Sequence, residues 1–379
     1  MRVAAGLFAL CCAATTALAD DGETDRARDG VRVGAALGAG GQGTATYGAL
    51  ELGIDVLWRD VRVGLGARGV WLDGAFRRAD WSRGVDAVRV LRHLEARTEH
   101  LALAAGALAP SQLGHVADGY RAALDDRLRT GFRGAVTTER LQLGLEIDDV
   151  LDPALVGGAA RWQLDGPWAL HAAAAVDPGL DPDVDLGAGA IAARSALELG
   201  GSRFWEGTRR RIELGAALVG EPTDGVGVVG FGRADLEHAG ARYTGVVELR
   251  AGTGTTGAAF GPLHRLERRG LLDDARTGVG AAVSLGVAAP AGWITASVRA
   301  RPGLGPLVAA SAGAPAGRYL QAAGWIAASR DAAAGAAELR VAWARRLSSA
   351  LQVARMYATD EMQPAPVWSL TAWFGATTD

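Results

Sequence analysis

Ionisable side chains spaced two apart are the chemistry this chain offers most often. Glu51, Asp55, Arg62, Arg68, Glu146, Asp148, Arg211, Glu213, Arg233, Asp235, Glu248, Arg250, Arg299 and Arg340 each have an apolar or small residue on at least one side, and all but Asp148 and Arg211 on both. An extended backbone turns such residues to one face. Rows of Arg and carboxylate on one face can set a transverse field across a water-filled passage for small hydrophilic solutes. They can equally pair with one another and fill a closed interior. Spacing alone leaves both open.

Other chemistry is thinly supported. His115 stands four residues from Ser111, which suggests a base beside a nucleophile. The chain has no Asn to orient that base and no G-x-S-x-G turn. A catalytic triad is a geometry and cannot be built from spacing, so the protein is expected not to be an enzyme, with His115 packed in a loop. His93, His100, His115, His171, His238 and His264 include no H-x-x-x-H pair. Asp177, Asp181, Asp183 and Asp185 could offer oxygens to Ca²⁺, but they read better as a turn. No metal and no cofactor are expected. Arg209-Arg210-Arg211 and Arg268-Arg269 can attract anions or lipopolysaccharide phosphates, though runs at strand ends are usually just solvated.

The elements that carry the charges read as strands. In 50–72, Leu50, Leu52, Ile54, Val56 and Trp58 alternate with Glu51, Gly53 and Asp55. After the Arg59-Asp60 break, Val61, Val63, Leu65 and Ala67 alternate with Arg62, Gly64, Gly66 and Arg68. Each arm is about ten residues, the length of a tilted strand that crosses a bilayer. The pattern returns at 141–148, 211–218, 242–250, 294–301 and 339–344. Breaks fall at Asp60, Thr138-Glu139, Asp165-Gly166, Asp224-Gly225, Ala239-Gly240 and Ser348-Ser349.

The fold class expected is all-β: a single closed antiparallel transmembrane β-barrel of 14–18 strands with two long loops. The loops are expected at 76–129 and 252–276. Beyond the leader, no window has the 18 or more apolar residues of a spanning helix, and a lipid-spanning chain without one must close as a barrel. The charges should then face inward, because an Arg at mid-membrane on the lipid face costs about 2–4 kcal/mol.

Composition agrees. The chain has 379 residues and 54 Gly, and all 39 basic side chains are Arg. A net charge of −3 gives no sign of nucleic-acid binding. Residues 1–19 read as a secretory signal, with Arg2, an apolar core and Ala17-Leu18-Ala19 before Asp20. Both cysteines, Cys11 and Cys12, lie within it. Residues 20–29 are expected to be a disordered periplasmic N-terminus and 30–379 the barrel. Trp58, Trp71, Trp293, Trp343, Trp368 and Phe374 are expected to form an aromatic girdle at the headgroup level. Trp162, Trp168, Trp325 and Trp373 also lie near or within strand segments.

In its leader, alternation and Trp placement the chain resembles Gram-negative outer-membrane β-barrel proteins of porin type. Its last segment, PVWSLTAWFGATTD, presents Trp368, Leu370, Ala372 and Phe374 as an apolar stripe like the final strand of that class. There the chain usually stops at an aromatic that the assembly machinery reads, whereas here Gly375 to Asp379 follow. The run LALAAGALAPSQLGHVADGY is also similar to an element of an uncharacterised outer-membrane group with a Leu-Gly-His-Gly motif followed by a Tyr. This chain keeps Leu113, Gly114, His115 and Tyr120 but has Val116 for the second Gly. Gly114, His115 and Tyr120 are expected in a loop or plug element.

The porin-type resemblance implies an outer-membrane channel for passive diffusion of small hydrophilic solutes. Its implied partners are membrane lipid, lipopolysaccharide, the assembly machinery and those solutes. A plugged structural or adhesin-like barrel, binding partners through its long loops, is the first alternative. A soluble secreted all-β binding protein is the second.

Overall fold

The computed structural model describes residues 30–42, 45–77, 81, 84–108, 111–120, 129–179, 194–221, 225–253, 278–301, 304–315, 319–330, 332–344, 347–357 and 366–378. The expected leader at 1–19 and N-terminal segment at 20–29 fall outside these residues. So do Asp181, Asp183, Asp185, Asp224, His264, Arg268 and Arg269, and with them nearly all of the loop expected at 252–276.

Strands β1 (Gly30–Gln42), β2 (Ala45–Trp58) and β3 (Val61–Leu72) open the sheet, and the two-residue β4 (Ala75–Phe76) folds back on β3. A 3-10 turn at Gly84–Val90 leads into β5 (Leu91–Arg97) and β6 (Leu101–Gly106). A separate ribbon follows, β7 (Ser111–Leu113) with β8 (Ala117–Tyr120). The sheet resumes with β9 (Gly131–Thr137), β10 (Leu141–Ile147), β11 (Val156–Gln163), β12 (Trp168–Asp177) and β13 (Arg194–Gly207). Then come β14 (Arg210–Glu221), β15 (Gly225–His238), β16 (Ala241–Gly252), β17 (Gly278–Ala289) and β18 (Gly292–Arg301). The last strands are β19 (Leu304–Pro315), β20 (Leu320–Ala328), β21 (Ala333–Ala344), β22 (Leu347–Tyr357) and β23 (Pro366–Thr378).

Leaving out β4 and the β7–β8 ribbon, each strand pairs antiparallel with the next in the chain, and β23 returns to pair with β1. The seam runs in unbroken register from Val31 opposite Thr378 to Gln42 opposite Val367. The result is one closed 20-stranded antiparallel barrel. The count exceeds the expected 14–18 for a local reason. The stretch 76–129, expected as a loop, contains two wall strands, β5 and β6, only seven and six residues long. LRHLEAR alternates too briefly, and with too much charge, to stand out as a strand.

Period two decides which side each residue faces. Leu50, Leu52, Ile54, Val56 and Trp58 are exposed on the outer surface, while Glu51 and Asp55 face in. The same exposed apolar face recurs at Leu197 and Leu199, at Val247 and Leu249, and at Leu351 and Val353. An oily exterior on a closed sheet is what lipid requires, since backbone groups in lipid must be paired within the wall. No helix among the described residues is long and apolar enough to cross a membrane.

One end of the barrel carries tight connections, such as Arg59-Asp60 and Ala239-Gly240. The latter has φ of 51° and 76°, both left-handed as a type I′ hairpin turn needs. Long connections gather at the other end. The expected break at Ser348-Ser349 is not a turn: both residues lie inside β22, and Ser349 accepts a hydrogen bond from Trp343 Nε1 at 2.7 Å. Two serines resemble a turn only when their strand partners are unknown.

Gly40 lies at the seam opposite Ser369. A Cβ there would run into the Trp368 carbonyl oxygen and come within 2.9 Å of Ser369 Cα, neither of which can rotate away. Gly40→Val should therefore destabilise the closed barrel by about 1–3 kcal/mol. Urea titration followed by heat-modifiable gel mobility measures this, and an unchanged midpoint would rule out the seam register.

Candidate functional site

A 20-stranded wall is wider than side chains alone can fill, since barrels of 16 or more strands leave a lumen. Part of that space is taken by the β7–β8 ribbon, which folds inward. Leu113, Val116, Ala117 and Tyr120 are buried against Leu155, Ala173, Ala175, Ala196, Val219 and Val229. The wall residues here are mostly alanines, and their short side chains leave room for the ribbon. Gly114 turns it with φ of +53°, and a Cβ at that position would collide with the Glu198 carboxylate.

The turn is fixed by charge. The His115 backbone N–H donates to Glu198 Oε2, and His115 Nδ1 lies 2.7 Å from Glu248 Oε1. Glu248 is held in turn by Arg250 at 2.7 Å, and Arg250 Nη1 donates to the His115 carbonyl oxygen at 3.1 Å. The imidazole rests on Phe231, with ring centroids 4.6 Å apart. At the ribbon's far end, Tyr120 donates its hydroxyl proton to Asp148 Oδ2. Asp148 Oδ1 also accepts the N–H groups of Ala154 and Leu155. Arg129 closes the segment against Asp149 at 3.1 Å and Asp152 at 2.8 Å. A buried ion pair is costly unless its groups are hydrogen-bonded, and these groups hydrogen-bond one another and the backbone around them.

The strand charges expected to face inward lie on the inner face or its margins. Asp55 meets Arg62 and His93, each at 3.4 Å, and Glu51 meets Arg92. Glu146 accepts from Arg133 at 2.8 Å, Arg340 meets Glu338 at 3.0 Å, and Arg211 meets Glu206 at 3.3 Å. Arg68 is buried. Asp148 lies just beyond the end of β10, where it anchors the ribbon. Arg233, Asp235 and Arg299 line a cavity of about 600 Å³, together with Thr244, Ser284 and the ribbon's Gln112. Thr295 and Ser311 add a hydroxyl pair 2.6 Å apart on the same wall.

His171, Ser202 and Glu213 also come together inside the wall, 2.6 Å from His171 Nε2 to Ser202 Oγ and 2.5 Å from Ser202 Oγ to Glu213 Oε1. Glu213 approaches that same imidazole nitrogen at 3.4 Å. A triad needs the acid on the other nitrogen. Here the acid holds the hydroxyl itself and is paired with Arg161 at 2.9 Å. The cluster is a polar brace between strands. Among the described residues no group of three or more His, Cys, Asp or Glu could hold a metal ion.

On the outside, Trp58, Trp343, Trp368 and Phe374 project outward, and Trp71 falls on the outward parity of β3. Trp293 does not: Ile294 and Val298 take the outer face of β18, and Trp293 packs over Gly313 on the side of Thr295 and Arg299. Trp325 is likewise buried. Sequence reasoning missed Trp205 and Glu198. Glu198 was legible, because Leu197 and Leu199 flank it. The inward rule also has exceptions: Arg203 shares the outer face with Trp205, and Arg355 shares it with Val353.

Fold and site together define a transmembrane β-barrel with a charged interior and an inward hairpin. No protein-family model matches the chain, and no curated protein matches it in sequence. Among solved structures, the outer-membrane protein opdK of Pseudomonas aeruginosa superposes with a TM-score of 0.37 and 11% identity, over 92% of this chain and 99% of that one. OccAB3 of Acinetobacter baumannii gives 0.37 and 9%, over 93% and 100%. These likenesses are slight, and the barrel class rests on the closed ring of strands.

The ribbon's anchoring can be tested directly. Gly114→Val should free 111–120 from the wall, which amide hydrogen exchange would report as about tenfold or more faster exchange at Val116 and Ala117. Unchanged protection would mean that the turn does not depend on this contact.

Proposed function

We propose that this protein is an outer-membrane channel for passive passage of small hydrophilic solutes, narrowed by the β7–β8 ribbon. The observation that carries the proposal is the cavity between Gln112 and the polar wall of β15–β18, where Arg233, Asp235 and Arg299 face a space of about 600 Å³. A solute there meets hydroxyls and charges of both signs. The short-turn end faces the periplasm and the long-loop end faces outward, as in bacterial barrels generally. On this account the lumen-lining charges orient solutes, and Gly114, His115 and Tyr120 place the constriction.

Planar-bilayer recording tests this. Discrete single-channel steps are expected, and a folded barrel that stays silent would overturn the proposal. Arg233→Glu with Arg299→Glu should move the reversal potential in a salt gradient toward cation selectivity, because charge lining a pore sets which ion enters.

A plugged barrel has one observation in its favour, the complete burial of Val116, Ala117 and Tyr120. Removal of the hairpin turn discriminates. Gly114→Val should raise conductance in a channel, and it should create steps from silence in a plugged barrel.

A further inference from the structure

The outer face between β12 and β14 carries a feature that lipid-facing walls normally exclude. Arg203 is exposed on that face, directly opposite Trp168 in the register and two residues from Trp205. Its guanidinium lies 5.5 Å from the Trp168 ring centroid and 5.1 Å from that of Trp205. Arg210, opposite Gly207, lies on the same face two rungs nearer the turn than Arg203. Among the described residues no carboxylate pairs with Arg203 or Arg210, whereas their neighbour Arg211 points inward to Glu206 at 3.3 Å.

Position makes this arrangement specific. Arg203 is four residues from the end of β13. With a rise of about 3.3 Å per residue and a tilt near 40°, it sits roughly 10 Å below the rim. Indole rings settle at the boundary between hydrocarbon and headgroups, and the rings of Trp168 and Trp205 mark that level beside Arg203. A guanidinium resting on two indoles at that level lies beside lipid phosphates, which carry the opposite charge.

We propose that Arg203, Trp168 and Trp205, with Arg210 nearer the turn, form a binding site for the phosphate of a glycerophospholipid in the leaflet at the short-turn end. The planar guanidinium keeps its N–H edges free for phosphate oxygens while the rings cover its faces. The indoles pack against the glycerol and the first acyl carbons. Arg210 supplies a second cation to a headgroup of net negative charge. The site rests on the transmembrane placement proposed above but not on channel activity.

Native mass spectrometry of the folded full-length barrel tests the site. The probes are a phosphatidylglycerol and a diacylglycerol with the same acyl chains. The wild-type protein should retain the phospholipid about fivefold better than the diacylglycerol, the effect of one well-placed cation at a membrane surface. Arg203→Ala should remove most of that preference, and Arg203→Lys should restore part of it. Equal retention of the two lipids by wild type would overturn the proposal without need of a variant. So would an Arg203→Ala barrel, folded by heat-modifiable mobility, that still prefers the phospholipid. Conductance plays no part in this readout. A silent barrel that selects phospholipid would defeat the channel and leave the site standing.

Discussion

A sheet in lipid cannot have an edge. Water is absent to satisfy a free N–H or C=O, and each such group left unpaired costs several kcal/mol. The pairing of β23 with β1 is therefore the constraint on which the whole molecule depends. Once the ring is closed, the alternation of side chains has only two destinations. Oily residues go to lipid and charged ones to the lumen, and the interior chemistry follows.

The interior shows what a wide barrel does with a surplus of charge. Few of its carboxylates stand alone. Glu146, Glu213, Glu221 and Glu248 each meet an Arg on the same or a nearby strand. This pairing ties strands of the wall together by charge. Around Arg233 and Arg299 the cavity wall along β17 and β18 carries hydroxyls, among them Ser284 and Thr295. The hairpin's anchors, by contrast, concentrate charge into one tight knot at His115. The cavity wall and the brace are thus built from overlapping residue types.

Much of the wall was legible in the sequence because period two is a local property. Leu50 to Trp58 announces its strand without any partner. The inner placement of Glu51, Asp55 and Glu248 follows from the same rule. The rest was hidden for physical reasons. β5 and β6 are too short to show a period. Ser348-Ser349 looks like a turn because a small polar pair has no local preference that outweighs its strand partners. His115 gave no hint of Glu248, since 133 residues separate them. Arg203 broke the inward rule because that rule averages over depth, and near a rim an Arg between two indoles is tolerated.

The seam has a further consequence, in time. Every other wall pairing joins strands that neighbour one another along the backbone, so each can form as soon as its hairpin is made. The first and last strands meet only after all intervening ones exist, and loop-closure entropy makes so distant a contact slow to form. Until then the nascent wall is an open curl with two hungry borders, a shape prone to seize other chains. Closure of the ring therefore waits for the final strand, and it removes both borders in one step.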